Sequence, residues 1–242
     1  MRYAVFADIH SNLEALERVL GVYASESIEQ YIFLGDAVGY SVDPVPCIQR
    51  IRSLPLTAVA GNHDQAAVNL FSVDNFSPEA REAIFWTRRN LDEDSKQFLE
   101  SLKLTFQNHD FTMVHGTLNS PQDFNYMEDG FIAEETFRLM KTPLCFIGHT
   151  HVAGVFIKDK EDHICYRENA SVDIEAENKY IINVGSVGQP RDGNPAASYC
   201  IYDSQAKKVT LKRIDYDIAV AQKKIVDAGL PELLGHRLFM GR

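Results

Sequence analysis

Three apolar runs, "YAVFA", "YIFLG" and "LTAVAG", open the chain, separated by stretches that are amphipathic at helical spacing. In "NLEALERVLGVYA", Leu13, Leu16, Val19 and Leu20 share one helical face, and "PVPCIQRIRS" reads as a second helix. Strand, helix and strand in that order imply parallel neighbours joined by crossovers, with helices covering the sheet. Residues 77 to 102 read as helical, with Ser77 as N-cap and Pro78 at the first helical position. From Lys103 the period changes. The runs "LTFQ", "FTMVHG", "PLCFIGH", "GVFI", "HICYRE", "YIINVG", "ASYCIYD" and "KVTLKRI" read as strands, interrupted by one helix around "AEETFRLM". No Pro/Gly/Ser-rich linker divides the halves. The pattern predicts two packed sheets in one domain spanning residues 1–242, closed by a helical segment at about 215–240.

Composition excludes several classes. A chain of 242 residues, 45% hydrophobic and 24% charged, can bury a full core without disulfides. The apolar run of "MRYAVFADIH" meets Asp8 at once, so it is neither a signal peptide nor a membrane span, and a cytoplasmic location is expected. Cys47, Cys145, Cys165 and Cys200 lack C-x-x-C spacing and are read as buried free thiols. With 24 Lys+Arg against 34 Asp+Glu, the net charge of -10 repels polyanions, so nucleic acid is not an expected partner.

Polar residues punctuate the strand ends: Asp8 and His10 in "ADIHSN", Asp36 in "LGDAVGY", Asn62 and His63 in "GNHD", His115 in "VHGT", and His149 with His151 in "GHTH". Ligands of open α/β sheets bind outside the carboxyl ends of the strands, so these loops should converge. The i, i+2 spacing of Asp8 with His10, and of His149 with His151, points each pair the same way if the backbone stays extended. Any one of these residues alone reads as a core histidine or a turn residue. Together, in this order and each after an apolar run, they read as metal ligands. His109 and His163 flank hairpin turns and His236 has no partner, so these are read as surface residues.

Imidazole mixed with carboxylate and amide oxygen suits divalent transition metals such as Mn, Fe, Zn, Co or Ni. The seven candidate ligands Asp8, His10, Asp36, Asn62, His115, His149 and His151 are too many for one ion and suit two, with Asp36 best placed as the bridge. Paired ions are a usual arrangement for hydrolysing phosphate esters.

The ordered motifs D-x-H, GD, GNH-D, H and GHTH, from Asp8 to His151, resemble those of the calcineurin-like metallophosphoesterase superfamily. "GDAVGYSVDPVPCI" and "NVGSVGQPRDGNPAASYCIYD" are similar to its small prokaryotic YfcE-like, diadenosine-tetraphosphatase-related branch. The resemblance implies a four-layer α/β/β/α sandwich of two mixed sheets. It also implies one metal on Asp8, His10, Asp36 and His151, and another on Asp36, Asn62, His115 and His149. The superfamily's protein Ser/Thr phosphatases carry an arginine shortly after the GD aspartate; "GDAVGYSVDP" has none, which argues against a dedicated phosphoprotein phosphatase.

The expected activity is hydrolysis of small phosphate esters, mono- or diesters and nucleotides among them, by a hydroxide bridging two ions. His63 would protonate the leaving oxygen, with Asp64 or Asp43 holding its imidazole. Arg191 in "GQPRDG" is a candidate phosphate clamp, and Asn12 a candidate phosphate-contacting amide or helix cap. Phe71, Phe76, Phe124 and Tyr126 fall beside the metal loops in sequence and would form a rim, whereas Phe85 and Trp86 are read as core. Two other readings share the fold: a metal-dependent nuclease, which wants a basic groove, and a non-catalytic interaction scaffold, which would not need intact ligands and His63.

Overall fold

The computed structural model describes residues 1–168 and 171–242. In chain order the elements are β1 (Arg2–Phe6), α1 (Leu13–Tyr23), β2 (Gln30–Phe33), α2 (Pro44–Arg52), β3 (Leu56–Ala58), α3 (Asn62–Ala67), α4 (Pro78–Asn90) and α5 (Glu93–Ser101). The sheet-rich half follows with β4 (Thr105–Gln107), β5 (Phe111–Val114), α6 (Gly130–Leu139), β6 (Leu144–Ile147), β7 (Gly154–Lys158), β8 (Ile164–Glu168), β9 (Ser171–Asp173), β10 (Lys179–Asn183), β11 (Ala197–Asp203) and β12 (Lys208–Ile214). Two helices, α7 (Ile218–Asp227) and α8 (Glu232–Met240), close the chain. None of the described helices is long and apolar enough to cross a membrane.

The strands form two six-stranded sheets, ordered β3-β2-β1-β11-β12-β9 and β4-β5-β6-β10-β7-β8. Both are mixed: β1, β2 and β3 run parallel, as do β5, β6 and β10, while the other pairings are antiparallel. Strand alternation builds the four layers. Tyr3 and Val5 of β1 face the second sheet, while Ala4 and Phe6 face α1 and α2. On β6, Leu144 and Phe146 point between the sheets, and Cys145 and Ile147 point toward Ala133 and Phe137 of α6. Both faces of these strands are therefore buried, which is why they read as unbroken apolar runs.

The expected α/β/β/α architecture is thus the one observed, with local differences. The stretch 77–102 is two helices, broken where Leu91 is extended and Asp92 caps α5. Ser77 does cap α4, accepting from Ala80 N. "SVD" forms β9, a strand too short to show a period. Cys165 is exposed, in contrast to the other three cysteines, because it lies on an edge strand with little cover. Phe85 is also exposed, on the outer face of α4, where it stacks with Arg88.

Aromatic rings join the sheets at the end far from the loops that carry Asp8 and His115. Phe111 packs edge-on against Tyr3 of the opposite sheet at 5.5 Å and against Phe146 at 5.7 Å. Truncating this fully buried ring leaves a cavity that neither sheet can close, so Phe111→Ala should lower stability by about 3–5 kcal/mol. Because β5 places Phe111 at the opposite end from His115, urea unfolding should show the loss while metal content stays normal. A loss of less than about 1 kcal/mol would mean the sheets are not held together through this ring.

Candidate metal centre

The carboxyl ends of β1, β2, β3, β5 and β6 lie together, and their loops are bonded to one another through the backbone. Asp8 N donates to Gly35 O (2.9 Å), His10 N to Asp36 O (3.0 Å) and Ser11 N to Ala37 O (2.9 Å), so the first two loops run side by side beyond their strands. The loop after β10 joins them through Val187 N to Ala7 O (3.0 Å) and Gly188 N to Asp8 O (2.9 Å). On the second sheet, Gly148 N donates to His115 O (2.9 Å).

The backbone at these loops is not extended. Asp8 (φ 55°), His10 (φ 51°), Asp36 (φ 61°), His149 (φ 70°) and His151 (φ 61°) all occupy the left-handed region. Such conformations are costly for residues with a Cβ and persist where surrounding contacts over-determine them, typically at functional sites. Two-residue alternation therefore does not explain how Asp8 and His10 meet; the turn itself aims them. "GNHD" also differs from a plain strand-end turn: Gly61 caps α3, and Asn62 and His63 stand in its first turn. The glycine is dictated by proximity, since a Cβ on Gly61 would run into Asp36 Oδ1. Gly35 is dictated by its φ of 98° and by its packing against Ala60 and Gly61.

Two donor sets share no residue: Asp8, His10 and His151 form one, and Asp36, His115 and His149 the other. A third, His10, Asp36 and His63, overlaps both, and within each set one ligand atom per residue lies within 4.8 Å of the rest. His151 Nε2 is 3.3 Å from Asp8 Oδ1, and His115 Nε2 is 3.3 Å from Asp36 Oδ2. Each aspartate spends its other oxygen on a backbone amide: Asp8 Oδ2 accepts from His149 N (3.0 Å) and Asp36 Oδ1 from His63 N (2.9 Å).

The imidazoles are oriented from behind. His10 Nδ1 donates to Val38 O (3.0 Å), His115 Nδ1 to Leu34 O (2.7 Å) and His151 Nδ1 to Gln189 O (2.6 Å), which turns Nε2 of each ring inward. Burial holds His10, His149 and His151 well below the usual imidazole range, so their Nε2 atoms carry lone pairs. His10 Nε2 and His151 Nε2 nevertheless face each other at 3.0 Å. Two lone pairs at that distance repel unless a cation lies within reach of both. Asp8 Oδ1, Asn62 Oδ1, His115 Nε2 and His149 Nε2 are buried without a hydrogen-bond partner, against the general rule for buried polar atoms. Neutral nitrogens, aspartate oxygens and orphaned donor atoms together fit metal binding.

His115 is the exception: burial pushes its pKa down, but Asp36 and then Asp8 override this and bring it up to about 9. Asp36 is held well below the carboxylate range, His115 and His63 outweighing burial, whereas burial pushes Asp8 up to about 7.

Other expected site residues fall differently. Asp64 does not hold His63. Its Oδ1 accepts from Ala37 N (2.8 Å) and Val38 N (3.3 Å), and its Oδ2 from Asp36 N (2.7 Å) and Gly61 N (3.1 Å). Asp43 does not hold it either, since it pairs with Lys224 (2.7 Å). His63 Nδ1 has no partner; its ring lies among His10, Tyr40 and Phe76, and burial pushes its pKa to about 4. Asn12 is a cap: its Oδ1 accepts from Ala15 N (3.1 Å) and its Nδ2 donates to Gly188 O (2.9 Å), and the side chain is buried. His109, His163 and His236 are exposed.

Above the donor sets opens a cleft of about 380 Å³ lined by Asn62, His63, His149, Tyr40, Arg191 and Arg237, with Phe71, Phe76, Phe124 and Tyr126 on its walls. Arg191 does not pair with Asp192, which is taken by Arg213; its guanidinium instead contacts Gln189 Oε1 (2.8 Å) and Tyr40 OH (3.2 Å). Tyr126 stacks on His149 at 4.1 Å. Tyr40 and Arg237 are lining residues that motif reading missed. Tyr40 carries a signal in hindsight, the glycine before it, while Arg237 lies far along the chain on α8 and carries none.

Residues 1–207 match the model of the calcineurin-like phosphoesterase superfamily domain. An uncharacterized protein of Methanocaldococcus jannaschii is 38% identical over 243 aligned residues, covering 99% of this chain and 98% of that one. The crystal structure of a metallophosphoesterase from Sphaerobacter thermophilus is similar throughout, with a TM-score of 0.90 and 40% identity over 100% of this chain and 99% of that one. A hypothetical protein from Pyrococcus horikoshii OT3 shares the fold at a TM-score of 0.81 and 18% identity, over 100% and 98% of the two chains.

Asp64 acts on the centre without touching a ligand position of its own. Asp64→Asn places an amide NH₂ against two backbone N–H groups, and each buried donor left unmet costs about 1–3 kcal/mol. Thermal melting should therefore drop, and Mn²⁺ affinity by calorimetry should fall about 10- to 100-fold, as for other groups that orient ligands. Unchanged Mn²⁺ affinity would show that residues 35–38 keep their shape unaided.

Proposed function

Because the chain belongs to the calcineurin-like phosphoesterase superfamily and is on that ground a metallophosphoesterase, we propose that it binds two divalent transition-metal ions and hydrolyses small phosphate esters. The observation that carries this reading is the place of Asp36. Its Oδ2 lies 3.6 Å from His10 Nε2 in one donor set and 3.3 Å from His115 Nε2 in the other. Asp8, His10 and His151 would hold one ion, and His115, His149 and Asn62 the other, with Asp36 shared. Mn, Fe, Zn, Co and Ni all suit these donors. When bound, the ions supply Lewis acidity that activates water and draws charge from phosphoryl oxygens. The C-terminal helices belong to the same domain in this reading, since α8 contributes Arg237 to the cleft.

The remaining steps fall to side chains of the cleft. Arg191 offers a planar guanidinium to phosphate oxygens, a match for bidentate bonds. His63 protonates the leaving oxygen. Its ring is neutral in the surroundings described above, and an entering phosphate dianion is the charge that would favour its protonated form. A cleft of about 380 Å³ suits a small ester, and its aromatic walls suit an apolar or planar leaving group.

Protein purified without chelators should contain up to two transition-metal ions per chain, and Mn²⁺ should activate hydrolysis across a panel of phosphomonoesters, phosphodiesters and nucleotides. Asp36→Asn removes the charge between the donor sets, so metal content and turnover should both collapse. Near-normal turnover in that variant would reduce Asp36 to a turn residue.

The role of His63 is tested by leaving-group chemistry. For a nitrophenyl ester, whose oxygen departs as an anion, His63→Asn should cost little. For an alkyl or ribose leaving group the same change should cost on the order of 10²- to 10⁴-fold in rate. Metal content should be unchanged, since Asn62 is the assigned ligand; equal losses on both substrates would sink the acid role.

A further inference from the structure

The cleft holds more positive charge than one ester phosphate requires. We infer that Arg237 on α8 and Arg191 together form an anion-binding wall that takes a second phosphoryl group of the substrate, apart from the one at the donor sets. This rests on the reading of the site as a phosphoesterase centre and narrows its substrate class to esters bearing two phosphoryl groups.

The guanidinium carbons of Arg191 and Arg237 lie over the same Tyr40 ring, 5.5 and 6.0 Å from its centroid. Both residues line the cleft that opens above His63 and His149. Among the described residues, neither has an Asp or Glu within ion-pair distance. Arg191 is held by neutral groups, the Gln189 amide and the Tyr40 hydroxyl. Arg237 Nε donates to the main-chain oxygen of Arg242 at 2.5 Å, and the side chain lines the cleft. Asp123, the acidic residue on the cleft lining, pairs with neither.

Arg2, Arg50 and Arg213 do find carboxylates, but none of these lies in the cleft. Two half-buried cations near one ring repel each other, and burial followed by Arg191 lowers the pKa of Arg237. An anion between or beside them relieves that repulsion. One phosphoryl group seated at the donor sets has its charge met there, with Arg191 reaching it from one side, so Arg237 and the remaining N–H groups of Arg191 are left for another. Arg237 is also fixed in place. Leu234 and Leu238 of α8 pack with Ala80 and Ala83 of α4, and Gly193 N donates to Gly241 O (3.0 Å), tying the end of α8 to the loop that carries Arg191.

The test compares two probes that differ only in a second phosphoryl-like group, propylphosphonate and propane-1,3-bisphosphonate. Both are titrated by calorimetry into Mn²⁺-loaded full-length protein, with Mn²⁺ in excess of either probe. A charge-assisted contact of this kind predicts dissociation constants about 10- to 100-fold lower for the bisphosphonate, a ratio that shrinks with salt. In Arg237→Gln the ratio should fall to about threefold or less, in Arg237→Lys it should be partly kept, and in His236→Gln, an exposed neighbour on α8, it should match wild type. A wild-type ratio near one overturns the inference, as does a ratio that survives Arg237→Gln or an equal weakening of both probes in that variant. Hydrolysis of nitrophenyl esters by the same preparations is read separately. Its absence would overturn the phosphoesterase reading, whereas turnover with no preference for the second group would overturn only the wall.

Discussion

A single buried carboxylate organises the centre. Asp64 gathers the amides of Asp36, Ala37, Val38 and Gly61, so the loop after β2 is pulled against the loop after β3 and the start of α3. That contact decides where Asp36 sits, and Asp36 in turn receives the His63 amide. The neighbouring loop after β1 is bonded to residues 35–37, so Asp8 and His10 inherit the same frame. These candidate ligands are thus set by backbone polar groups whose own bonding is complete, a firmer support than side chains resting on side chains.

Much of this was legible in the residues. Apolar runs buried on both faces made the strands visible, and polar residues directly after them marked one crevice, because parallel strands end on the same side of a sheet. Ser77 and Pro78 announced a helix start that the structure has. Other features were hidden for identifiable reasons. Left-handed backbone at Asp8, His10 and His149 has no residue signature when glycine is absent. Asp64 looked like a partner for the adjacent His63, yet the first turn of α3 aims it at the backbone of another loop. Asn12 carried a phosphate reading and a capping reading, and the helix start at Leu13 takes its amide for the cap. Cys165 has the same kind of apolar neighbours as the buried thiols, but only pairing order reveals that β8 is an edge.

Net charge taught less than its distribution. A formal charge of -10 argues against polyanions as partners of the whole surface, but it says nothing of a cleft where guanidinium groups stand without acidic partners. Apart from Asp123, the acidic residues do not line that cleft, and several exposed ones are consumed by basic neighbours. Low-dielectric walls of Phe71, Phe76 and Phe124 strengthen whatever charge remains inside. Aromatic content in this region is therefore partly electrostatic in effect, apart from any contact with a leaving group.

The docking of α8 on the loop around Gly193 has a practical corollary for handling the protein. Met1 is exposed and lies at the far end of β1 from Asp8, so an affinity tag joined there stays clear of the cleft. Residues appended after Arg242 would begin beside the backbone oxygen that Arg237 holds and next to Gly241, whose carbonyl is bonded to Gly193. Chain added at that point would press on both the helix that carries Arg237 and the loop that carries Arg191, the two cationic sides of one cleft.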